Sequence, residues 1–256
     1  MMHKCTHLAN EVESFAEQAL IDFVAERLDG RDKVSSIDFI DHLHRKEILN
    51  KVLLKNPMYK MLASGTMTFD ELSMFFSDYY HGSNKGFIAH TLKEAELAYE
   101  NPQWIRYISD IRAEEKIPEC HSLIFSQDLK TLGLKISRSH LAKGFIDANV
   151  RGYTLNLAYS SGYALAVEIE ADYQIYLVYQ ALVNHFGSEK MKDLRYFDAH
   201  LHEGGELEHA KMTCAMVESA YNMTHDFNEI KRGFNHAIED TERFMVDIYQ
   251  RIYKSL

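Results

Sequence analysis

Three features of the sequence predict an all-α protein. Apolar residues recur at helical spacing in almost every segment. Only 3 prolines and 12 glycines interrupt 256 residues, so long uninterrupted elements are expected. Alternating β-branched runs bounded by turns, the mark of strands, are missing. The first helix is predicted over residues 8–28, where Phe15, Ala19/Leu20, Phe23/Val24 and Leu28 form a stripe that stops at Gly30. Ser35-Ser36-Ile37-Asp38 offers caps for a second helix reaching residue 54, with Pro57 closing it. Ser64-Gly65 reads as a turn, and Thr68-Phe69-Asp70-Glu71 as an N-cap with first-turn acids opening a helix through Tyr80. Asn101-Pro102 starts another, since proline is tolerated in a first turn. Residues 151–185 are long, apolar and rich in tyrosine, which places them in the core. Residues 218–253 give one or two closing helices. No repeat, low-complexity tract or linker divides the chain. It reads as one domain over 1–256, with residues 1–35 an added N-terminal helix outside a core of 36–256.

Composition excludes several functions. A formal net charge of −10 argues against a nucleic-acid partner, because phosphate binding needs a basic surface. The same balance gives no attraction to anionic lipid. No run approaches the roughly 20 apolar residues needed to span a bilayer, and the N-terminal stretch has no apolar core of signal-peptide length. Cys5, Cys120 and Cys214 form neither a CxxC pair nor a disulfide framework. A cytoplasmic protein is expected. No GxGxxG or P-loop appears in a strand-to-helix context, so nothing supports a nucleotide or flavin site.

What stands out is a set of acids and histidines in three clusters. Glu114 and His121 lie in AEEKIPECH, Glu168 or Glu170 in ALAVEIEAD, and His202, Glu206 and His209 in HLHEGGELEH. Residues four and seven apart share a helix face, so the third cluster presents two imidazoles around a carboxylate. Gly204-Gly205 weakens the helix there, by about 1 kcal/mol per glycine relative to alanine. His200 then becomes the substitute for His202. Glu114 and His121 are also seven apart, but Pro118 would clash with the carbonyl of Glu114 in a straight helix. A kink or break is expected, with Glu115 as the weaker substitute. Glu168 and Glu170 point about 200° apart on a helix. Ala164, Leu165 and Ala171 beside Glu168 favour its inward orientation, though the choice stays open. Any one cluster alone is commonplace on a solvated surface. The combination is not, because Glu168 sits in a strongly apolar stretch where an unpaired carboxylate is costly. Three carboxylates and three imidazoles suit two iron or manganese ions.

These motifs, in this order, resemble the haem-oxygenase-like di-iron oxidase and oxygenase family, the CADD- and UndA-like group akin in fold to TenA and PqqC. The resemblance spans roughly residues 56–250. NPMYKMLASGTMTFDELSMFFSDYY resembles the family's opening helices, and EEKIPECHSLIFSQDLKTLGL its Glu-x6-His segment. GYALAVEIEAD is similar to the helix bearing the bridging carboxylate. YFDAHLHEGGELEHAKM is similar to the Tyr-Phe segment before the His-x3-Asp/Glu-x2-His triplet. The resemblance implies a bundle of about seven helices, often dimeric, with Glu114, His121, Glu168, His202, Glu206 and His209 as ligands of two irons (or manganese, or a mixed pair). It further implies O2 as co-substrate, a small-molecule substrate and an external electron donor. The outcome would be oxidative C–C cleavage, desaturation or N-oxygenation. Asp172 and Asp198 are candidate partners for the ligand histidines, and Tyr59 is notable because some relatives oxidise a tyrosine of their own. His81 is the outsider for a site role. Two alternatives remain. One is a metal-independent TenA- or PqqC-like enzyme using Cys120 or Cys214. The other is a non-catalytic helical interaction protein.

Overall fold

The computed structural model describes residues 55–116, 119–201 and 205–254. The helices predicted over residues 8–28 and 35–54, and with them the N-terminal extension, lie outside the described residues. Within them every regular element is helical.

Local chemistry explains most of the starts and stops. Pro57 opens a helix. Asn56 accepts a hydrogen bond from Met58 N at 2.9 Å, and Pro57 occupies the first turn of α1 (Pro57–Ser64). Gly65 closes α1 with φ 63°, the left-handed conformation that glycine adopts without steric cost. Thr68 and Glu71 form a reciprocal capping box at the start of α2 (Phe69–Tyr79). The chain then continues, beyond the end expected at Tyr80, as a π-helical segment over Tyr80–Thr91. Its wider turn is seen in the Leu92 N–H, which donates to the carbonyl of Phe87 five residues back. A short α3 (Leu92–Ala95) follows.

Asn101 caps α4 (Pro102–Glu114) through Trp104 N, as the Asn-Pro pair predicts. Next come α5 (His121–Thr131) and α6 (Ala142–Thr154). The predicted long stretch is broken once. Asn156 accepts from Tyr159 N and starts α7 (Leu157–Phe186) afresh, a helix of 30 residues. The short α8 (Ser188–Met191) and α9 (Arg195–Leu201) lead to α10 (Gly205–Thr224). His225, at φ 52°, and the Asp226 cap separate α10 from α11 (Phe227–Tyr253), so the closing segment is two helices.

Helix α7 is the axis of the bundle and packs against α6, α10 and α11. Its closest approach is to α11. A Cβ on Gly162 would lie 1.9 Å from the Ile230 carbonyl oxygen, and one on Gly233 would lie 1.9 Å from that of Tyr159. The two glycines therefore let backbone touch backbone at a single crossing. Trp104, Tyr107, Phe125, Tyr153, Phe197 and Phe234 are among the fully buried side chains around this axis. The Trp104 indole satisfies its N–H on the Ala95 carbonyl at 2.8 Å. Long Leu157–Phe186 thus carries its two interior acids, Glu168 and Glu170, through the middle of the core.

Candidate metal centre

The polar interior is built where helices end. Helix α4 stops at Glu114, with Glu115 as its C-cap, and α5 restarts at His121. The break expected from Pro118 is therefore present, although residues 117–118 themselves lie outside the described residues. The return of the chain is held by His121 N donating to the Glu115 carbonyl at 3.0 Å. Helix α9 ends at Leu201 and α10 begins at Gly205. His202 lies outside the described residues, and Glu206 falls in the first turn of α10 with its side chain undescribed.

Two carboxylate–imidazole groups form side by side. In the first, His209 Nε2 meets Glu114 Oε2 in a short contact, and His209 Nδ1 lies 3.5 Å from Glu168 Oε2. In the second, His121 Nδ1 lies 3.4 Å from Glu115 Oε2, and the His121 and His200 rings stand 4.9 Å apart at 65°. One donor atom from each of Glu115, His121 and His200 falls within 4.8 Å of the others. The groups are electrostatically joined, since His200 feels His121 and His209, and Glu114 feels His121. Of the primary sequence candidates, the fold brings Glu114, His121, Glu168 and His209 together. It also brings in the substitutes Glu115 and His200, while Glu170, the alternative to Glu168, is buried on the wall of the adjoining cavity. Helix termini turn Glu114 and Glu115 toward different histidines, which a straight-helix reading of their spacing does not anticipate.

Burial sets the charge states. Burial pushes the His200 pKa down to about 3, and the neighbouring His121 and His209 add to the effect. Its imidazole is neutral at ordinary pH and keeps a lone pair. The hydrogen bond from His209 holds Glu114 below the usual carboxylate range, against the upward pull of partial burial. Glu168 Oε1 accepts from the Tyr107 hydroxyl at 2.6 Å, and Tyr153 stands 3.3 Å behind that hydroxyl. Burial, then the Glu168 charge, raise the Tyr107 phenol well above its ordinary value, so it stays a donor. Tyr107 was missed in the sequence. The signal was present, because it precedes Glu114 by seven residues on one face of α4. The His200 ring packs against Tyr196, which stacks on Phe125 at 4.1 Å.

Other expectations fare differently. Asp198 is exposed and so no partner for a buried histidine, while the Asp172 side chain lies outside the described residues. His81 faces the Ser137 carbonyl at 3.0 Å, away from these groups. Cys120 pairs with the Ser122 hydroxyl at 3.2 Å rather than with a base, and Cys214 is buried. Tyr59 is buried and its hydroxyl makes no hydrogen bond. A cavity of about 80 Å³ adjoins the site. It is lined by Glu115, Glu168, His200 and His209 at one part and by Phe87, Ile88, Phe145, Val167 and Ile175 elsewhere. Among the described residues no helix is long and apolar enough to cross a membrane.

Solved structures share this arrangement of helices. One crystal structure of a CADD-like protein of unknown function from Nostoc punctiforme superposes with a TM-score of 0.68. It is 18% identical and covers 84% of this chain and 97% of that one. A second crystal structure of that protein gives a TM-score of 0.65 at 16% identity, covering 85% and 96%. The chain has the CADD-like, haem-oxygenase-like fold. No family model and no curated protein matches it in sequence. In this fold Glu168, midway along α7, is met by Tyr107 from α4 and His209 from α10.

Proposed function

We propose that this protein is a non-haem dinuclear metalloenzyme, an O2-dependent oxidase or oxygenase acting on a small molecule held inside the bundle. The observation that carries this reading is the meeting of Glu114, Glu115, His121, Glu168, His200 and His209 from five helices in two adjoining groups, with Glu114 at the exposed edge and Glu115, Glu168, His200 and His209 lining one cavity. The residues fit such a centre. Glu115 Oε2 is buried, with His121 Nδ1 at 3.4 Å but no hydrogen bond, and a buried carboxylate so placed is costly unless a cation completes it. Burial keeps His200 neutral, the form that ligates. Mixed carboxylate and imidazole donors suit iron, or manganese.

In this proposal Glu114, Glu168 and His209 hold one ion, and Glu115, His121 and His200 the other. The resemblance adds His202 and Glu206 to the set. Bound ferrous iron supplies electrons to O2 and Lewis acidity at open coordination positions. The chain's own part is placement. Tyr107 fixes the rotamer of Glu168 through its 2.6 Å hydrogen bond, the kind of outer support that tunes a ligand. Tyr196 and Phe125 lock the His200 ring. The apolar wall of Phe87, Ile88 and Phe145 keeps bulk water from the reacting face. Electrons for repeated turnover come from a separate reductant. The test is O2 uptake by anaerobically iron-loaded protein. Rapid uptake that disappears when zinc replaces iron supports the reading, and uptake no faster than that of free iron rejects it.

A further inference from the structure

The same cavity has a polar group that the metal centre does not use. Glu170, two residues beyond Glu168 on α7, lines the cavity and is 1% exposed. Neither of its carboxylate oxygens makes a hydrogen bond. Burial pushes the Glu170 pKa well above the usual carboxylate range; the nearby Thr241 hydroxyl offsets part of this and the neighbouring acid Glu242 adds to it, so the charged form needs a cation beside it. Asn84, also buried on the cavity wall, donates its Nδ2 to the Tyr196 hydroxyl and leaves Oδ1 without a partner. No lysine or arginine lines this space among the described residues. The wall thus offers unmatched acceptors and no lysine or arginine to meet them. Unpaired buried acceptors each cost roughly 1–3 kcal/mol, more when charged, so the missing donor is expected to arrive with the ligand.

We propose that Glu170 recognises an amine substrate, a small alkyl or aryl ammonium ion. Its N–H groups donate to the Glu170 carboxylate, and its carbon skeleton packs against Phe87, Ile88 and Ile175. A fatty acid is the poorer partner for this wall, because no lysine or arginine is there to hold its carboxylate. The assignment of the amine as the molecule that is oxidised rests on the metal-centre reading. The binding itself does not.

The test uses metal-free protein, so that failure of the iron chemistry and failure of amine recognition are separate results. Calorimetric titration near neutral pH compares n-butylamine with its neutral counterpart 1-butanol and with butyrate. The expected order is n-butylamine about 10-fold or more tighter than 1-butanol, the gain typical of a charge-assisted hydrogen bond, with butyrate weakest. Glu170→Gln removes that advantage while its circular dichroism stays that of the wild type. Equal affinity for amine and alcohol overturns the proposal. So does an amine affinity unchanged in Glu170→Gln, which would mean that the empty ligand carboxylates attract the ammonium. Should that variant fail to fold, a crystal structure of the wild type with n-butylamine decides. Nitrogen at Glu170 upholds the assignment, and nitrogen at the Glu/His groups, or no bound amine, refutes it.

Discussion

The seam between α7 and α11 and the cluster at the α4–α5 and α9–α10 breaks are opposite kinds of structure on one long helix. At the seam, Gly162 and Gly233 bring two backbones into contact and apolar side chains close around them. There, backbone contact sets the spacing, and the Tyr159–His236 and Tyr163–Asp240 hydrogen bonds flank it. At the cluster, helices stop, and acids and imidazoles without apolar substitutes fill the space between their ends. The seam gains stability from close packing, with Tyr159 and Tyr163 paired across it, while the cluster carries buried polar groups that stability alone would not select. The contrast teaches that the bundle is made rigid in one place so that an unfavourable site can be held in another.

The largest break of this contrast is Gly162→Ala. Its new Cβ meets the Ile230 carbonyl, a backbone atom that cannot move aside. A loss of about 3 kcal/mol, the upper range for overpacking, is expected in denaturant unfolding. An unchanged midpoint would show that α7 and α11 do not lie this close.

Next in size, taken per pH unit, is the pH response of the metal-free protein. His200 has a folded pKa of about 3, below its ordinary value of 6.5. Between those values the unfolded chain binds the extra proton. Stability is therefore intact above about pH 6.5 and falls as the pH drops toward 3, by up to about 1.4 kcal/mol per pH unit from this one group. His200→Gln should flatten the slope of unfolding free energy against pH. An equal slope in both proteins would place His200 in water.

Smaller again is Tyr107→Phe, which leaves Glu168 Oε1 without its donor. A stability cost of about 1–3 kcal/mol should come with weaker metal binding, about 10–100-fold as for other outer-shell partners. Metal titration of the two proteins checks it. The smallest effect belongs to a surface cap. Thr68→Ala opens the capping box of α2 and should cost about 1 kcal/mol with no change at the cluster.

These regions were also unequally legible in the sequence. Caps read well because they act over three residues. Thr68 with Glu71, Asn101 with Pro102, and the Ser64-Gly65 turn all stand where their chemistry puts them. The apolar α7 read well for the same reason that it packs well. The π-helical run over Tyr80–Thr91 did not, because its periodicity matches neither of the patterns that apolar spacing reveals. At the cluster, residue types were legible but partners were not. Whether Glu114 or Glu115 faces His121 depends on how α4 ends, and the place of His200 depends on where α9 ends. Both are set by tertiary packing, not by spacing along a helix. Tyr107 escaped notice because a tyrosine in a chain with 15 of them carries no signal until its hydroxyl is seen on Glu168.

The most direct measurement is iron stoichiometry after anaerobic loading and gel filtration, in the wild type, in His209→Ala and in His200→Ala. The account expects about two irons per wild-type chain and at least one lost in each variant, with the α7–α11 seam, and hence the fold, unaffected. Wild-type protein that retains no iron, or variants that retain as much as the wild type, would contradict it.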